Sequence, residues 1–90
     1  MELNHELKKH LVGKAKEELE DIVSYNQIYE MALANGNRKL ARMINRIAEA
    51  EYEHAEYLCS YLKDHNAFSE EEHAHISALW KTVERIFDDE

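Results

Sequence analysis

Two apolar stripes with the alternating four-three spacing of a helix seam run along this chain, separated by one short breaker. The first is Leu11, Ala15, Glu18, Ile22, Tyr25, Tyr29 and Ala32; the second is Leu40, Ile44, Ile47, Glu51, His54, Leu58 and Tyr61. That spacing gathers each set on one helical face. Between them Asn35-Gly36-Asn37 is the only strong breaker, and Gly36 suits the left-handed position just past a helix end. The pattern predicts two long helices folded back as an antiparallel hairpin, the first over about 11–34 and the second over about 38–63. Residues 1–10 are mixed and charged and read as a frayed or extended start of the first helix, with Gly13 marking a kink or the true start.

After a short connection at His65-Asn66-Ala67-Phe68, Ser69 and Glu72 have the spacing of a capping box. A third helix over about 69–88 should then bury Ile76, Leu79, Trp80, Val83, Ile86 and Phe87. At its end the helix dipole disfavours Asp88-Asp89-Glu90, so fraying is expected there. With no Pro and only two Gly, the composition is that of an all-α protein. Ninety residues make one small domain, 1–90, and two seams with polar gaps bury too little surface alone, so self-association is expected.

Eleven basic against 19 acidic residues leave a net charge of −8, which repels phosphate backbones and argues against nucleic-acid binding. No apolar run is long enough to span a bilayer, and no signal peptide is seen. The single cysteine, Cys59, excludes an intrachain disulfide and leaves a reducing cytoplasm as the default compartment.

Each seam should be apolar throughout, yet the two carry Glu18, Glu51 and His54. A buried carboxylate needs an ion-pair partner, a proton or a metal. No Lys or Arg interrupts either seam to pair with these acids. Glu51 and His54 form Glu-x-x-His, one turn apart on one face. Glu18 lies eighteen positions before Gly36, and His54 eighteen after it. In an antiparallel hairpin both sit about 27 Å from the turn. The three side chains therefore fall at one level on facing seams.

Two metals bridged by carboxylates need roughly four carboxylates and two imidazoles. One chain supplies half, and a two-fold homodimer would complete a four-helix bundle. Oxygen-rich ligation with one imidazole per metal suits iron or manganese better than zinc. Glu2-x-x-His5, Glu70-x-x-His73 and Glu72-x-x-His75 repeat the motif off the seams and read as accidents of a Glu-rich chain with six His.

These residues resemble the ferritin-like superfamily. Glu18, Tyr25 seven residues later, and Ala50-Glu51-Tyr52-Glu53-His54-Ala55 look like the first half of a rubrerythrin-type domain. With Glu17-Glu18-Leu19-Glu20 the chain is most similar to the half-length, encapsulated ferritins, over about residues 17–64. The resemblance implies a ferroxidase oxidising iron(II) at a di-iron site between two subunits, with Glu18, Glu51 and His54 as catalytic ligands. It implies an outer acidic metal-entry site at Glu17 and Glu20. It also implies a higher oligomer inside an encapsulin shell, although Ile86-Phe87-Asp88-Asp89-Glu90 does not look like a targeting tail. Tyr25 reads as core packing, with hydrogen-bonding to a ligand or a part in redox chemistry as the alternative. The same ligands would serve an oxygen or peroxide scavenger or an oxidase. A metal-free acidic interaction module is the alternative from another class.

Overall fold

A computed structural model describes residues 4–88; Glu2 of the first off-seam motif, and Asp89 and Glu90 of the acidic end, lie outside them. The described chain is all-helical: α1 spans His5–Ala34, α2 Arg38–Asp64 and α3 Glu70–Asp88. No helix among the described residues is long and apolar enough to cross a membrane.

Each helix boundary has a local cause. The Asn4 side-chain carbonyl accepts the Leu7 N–H at 2.8 Å, so α1 starts six residues before the first seam residue. Gly13 neither starts nor interrupts α1; it lies inside it. At the other end Gly36 takes φ 72°, Asn37 N–H donates to Ala32 O at 2.8 Å and Gly36 N–H donates to Leu33 O at 3.0 Å. That is the Schellman arrangement. Asn37 then caps α2 by accepting the Leu40 N–H at 3.1 Å.

The end of α2 repeats the device with asparagine in the left-handed position. Asn66 has φ 50°, and Ala67 N–H reaches Leu62 O at 2.9 Å. Ala67 and Leu62 are both buried in one cluster, the apolar contact that accompanies such an ending. The capping box at Ser69 is formed. Ser69 Oγ accepts the Glu72 N–H at 3.1 Å, and Glu72 Oε1 accepts the Ser69 N–H at 2.9 Å.

α1 and α2 pack along their length as the antiparallel hairpin, and α3 lies along one face of it, its backbone closer to α1 than to α2. Large side chains bridge the wider gap. Tyr52 meets Trp80 and Phe87 edge-on at 5.3 and 4.9 Å, and Trp80 Nε1–H donates to Cys59 Sγ at 3.3 Å. Leu19, Ile22, Ala55, Ile76 and Val83 form the main cluster. Fully burying a side chain such as Leu19 or Ile22 contributes about 1.5–3 kcal/mol. In α3 only Ile76 and Val83 are buried; Leu79, Trp80, Ile86 and Phe87 stay half-buried.

The buried stripe of α2 differs from the expected seam. It runs Ala41, Ile44, Ala48, Ala55 and Leu62. Of the expected residues Leu40, Ile47, Glu51 and Leu58 are half-buried, and His54 and Tyr61 are exposed. Along its C-terminal half α2 meets α1 on one flank and, through Tyr52 and Cys59, α3 on the other, which covers Ala55; nearer the turn, beyond the described part of α3, Ala41, Ile44 and Ala48 are buried in the packing of α2 on α1. The expected seam becomes the rim of the face that α3 leaves open.

Candidate metal centre

Glu18, Glu51 and His54 meet on that rim. Glu18 comes from the middle of α1, and its residue is 7% exposed. It faces α2, where the Glu-x-x-His spacing stacks Glu51 and His54 one turn apart. His54 Nδ1 lies 3.6 Å from Glu18 Oε2 and 3.8 Å from Glu51 Oε1. One donor atom from each residue falls within 4.8 Å of the other two. Among the described residues this is the one group of three such side chains so arranged. The off-seam pairs at Glu70-His73 and Glu72-His75 gather no third donor, and the Glu72 carboxylate is engaged in its cap.

The electrostatics are those of an incomplete site. Glu18 Oε2 is buried and has no hydrogen-bond partner. Burial above all, and then the Glu51 carboxylate, push the Glu18 carboxyl above its ordinary range, while His54 works in the opposite direction. Lys14, one turn before Glu18, also opposes the rise, but its ammonium lies 3.9 Å from Glu17 rather than on Glu18. Buried polar atoms are rarely left unmatched in native proteins. A cation among the three donors would match Oε2 and offset the repulsion between the carboxylates. Donors this close come within reach of bonds of about 2.1 Å to one ion after small side-chain rotations.

The remaining site candidates are placed differently. Tyr25 is half-buried on the same face of α1, two turns from Glu18, and is not a partner of the unmatched oxygen. Glu17 and Glu20 are exposed, and the structure does not bring them into the cluster. Cys59 is half-buried on the opposite flank of α2, where burial raises its thiol pKa despite the Trp80 hydrogen bond. This contact between Cys59 and Trp80 was not foreseen from sequence, since nothing in the spacing of two residues on separate helices signals it.

No protein-family model, curated protein or solved structure matches the chain.

Proposed function

We propose that the chain is a ferroxidase, oxidising iron(II) with oxygen at a di-iron site that two copies build together, for iron storage or detoxification. One observation carries the reading: a buried, unmatched Glu18 oxygen faces Glu51 and His54 at the edge of the hairpin face that α3 leaves open. A second copy set against that face across a two-fold axis would bring the same three groups again. Four carboxylates and two imidazoles are the donor set that two iron ions need. Manganese fits the same donors.

In this reading iron(II) is the substrate. Two iron(II) ions would each give one electron to a single oxygen molecule, which takes up two protons and leaves as hydrogen peroxide, and the iron product is iron(III). The chain's own residues bind and orient. Glu18 is buried on the face of α1 that also buries Ala15, Leu19 and Ile22, which restricts its rotamers. Glu51 is half-buried and has more freedom to change its binding mode as metal charge changes. His54 is fixed one turn away on the exposed rim and supplies the nitrogen donor. Tyr25 flanks the site on the same face.

Iron(II) oxidation in air, followed by the absorbance of ferric product, tests this directly. Wild type should oxidise many equivalents, and Glu51→Ala should lose at least about tenfold in rate. Circular dichroism establishes that the variant is folded. A folded Glu51→Ala chain with the wild-type rate would remove the site from consideration. Rapid consumption of peroxide with little accumulated ferric product would reassign the same centre to scavenging.

A further inference from the structure

The end of the hairpin nearest the turn carries a different surface. Between Glu30 and Glu49 there is no acidic residue, and four cations occur: Arg38, Lys39, Arg42 and Arg46. Three of the chain's four arginines are in this group. Among the described residues none of the four has a carboxylate within ion-pair distance. Their placement destabilises the helix that holds them. The first turn of α2 contains no acid, so its cations oppose the dipole. Arg38, Arg42 and Arg46 follow at steps of four, which sets like charges one turn apart.

Those three arginines line a trough of about 540 Å³, together with Tyr29, Leu33 and Ala41. The trough continues the track that α3 occupies. Asn45, which also lines it, stands at seven-residue steps from Tyr52 and Cys59, which pack under α3. On α1, Leu33 stands two heptads beyond Leu19, at the centre of the core under α3. Seven-residue steps hold one helical face. α3 reaches the level of Tyr52 through Phe87, and its described part runs to Asp88. From Tyr52 back to Arg38 the same face runs on for about 21 Å, close to four helical turns.

We propose that this stretch of the track, which no described residue covers, is a docking site for an acidic amphipathic helix of a partner protein. The apolar floor of Leu33, Ala41 and Tyr29 takes a stripe of leucine-like side chains. The arginine row takes carboxylates spaced at i and i+4 on the partner, since a guanidinium pairs with a carboxylate through two parallel hydrogen bonds. Glu49 closes the far end of the trough and is held by Asn45 Nδ2 at 3.2 Å, leaving the arginines free. α3 itself is the precedent: an acid-rich helix with Ile76 and Val83 buried in the same track. A long polyanion is disfavoured because the rest of the chain carries −12, whereas a short helix in the trough feels mainly charges within a Debye length of about 8 Å. The proposal is independent of the metal centre.

The test uses the full chain without metal and a fluorescein-labelled synthetic helix with leucine along one face and glutamate at four-residue intervals beside it. A twin peptide carries lysine in place of glutamate. Anisotropy should show saturable binding of the glutamate peptide only, weakened by salt and by about tenfold or more in Arg42→Glu/Arg46→Glu. Both arginines are exposed, so the double variant should fold, which circular dichroism checks. The proposal is overturned by absence of binding at millimolar peptide, or by equal binding of the two peptides or of the two proteins. Co-sedimentation with phosphatidylserine vesicles in place of peptide binding would overturn it too, and would mark the tip as a membrane-facing surface.

Discussion

Burial and the Glu51 charge make the folded chain hold the Glu18 proton more tightly than the unfolded chain does. The folded pKa is raised, so the contribution to stability is absent well above that pKa. It grows as pH falls through the raised value and is complete below the ordinary value of 4.5. Glu72 has the opposite sign. The hydrogen bond from the Ser69 backbone holds its pKa low, so its stabilisation is present above 4.5 and is lost as pH falls through the lowered value. The two effects occupy different windows, one above 4.5 and one below. Urea midpoints of the metal-free chain should therefore rise by a larger margin between neutral pH and about pH 5 in wild type than in Glu18→Gln. At neutral pH the Gln variant should be more stable by about 1 kcal/mol, because a neutral amide replaces an unmatched buried charge. Parallel pH curves for the two proteins would show that Glu18 is not strained. The convergence of Glu18, Glu51 and His54 was legible in the sequence because numbering from Gly36 fixes level in an antiparallel hairpin. Their unequal exposure was not, because it depends on which face α3 covers.

At the scale of the helices, the two glycines separate local backbone demands from packing. An added Cβ meets nothing within 4 Å at either position. Gly36 adopts φ 72°, where a side chain is strained, whereas Gly13 is an interior residue of α1. Gly36→Ala should cost about 1 kcal/mol, and Gly13→Ala should stabilise by about 0.5–1 kcal/mol. Thermal unfolding of the two variants should thus shift in opposite directions. A loss of stability in Gly13→Ala would mean that α1 bends there in solution. The turn at Gly36 and the cap at Ser69 were readable because such chemistry is local. The early start of α1 is equally local, resting on Asn4, but apolar periodicity carries no signal for it. The offset of the α2 stripe onto Ala41, Ala48, Ala55 and Leu62 was hidden for a different reason. Alanine weighs little in a hydrophobic pattern, and its value as a small residue where α2 packs closely on α1 appears only in the folded hairpin.

The whole molecule is a rod of 49 × 19 × 16 Å with α3 along one face and the acid-histidine cluster on the rim of another. Large apolar side chains remain exposed along the open face. Leu7 continues the α1 seam one turn before Leu11 and is 48% exposed; Met43 and Tyr61, beside and on the α2 seam, are 52% and 45% exposed. A face that is apolar along its length and interrupted by half a ligand set is suited to a second copy of itself. If two copies share the iron, binding and association are linked, because an ion that binds only the paired state favours pairing by mass action. Native mass spectra should then show a dimer that grows as iron(II) is added without oxygen, at two irons per dimer. Tyr61→Lys should break this coupling. It places two like charges at the interface while leaving the monomer's melting temperature within a few degrees, since the side chain is largely in solvent. Iron bound at one per chain by a persistent monomer would reject the shared site but keep the ligands. A dimer whose population ignores iron, in wild type and Tyr61→Lys alike, would leave Glu18, Glu51 and His54 as a polar network within a metal-free helical module.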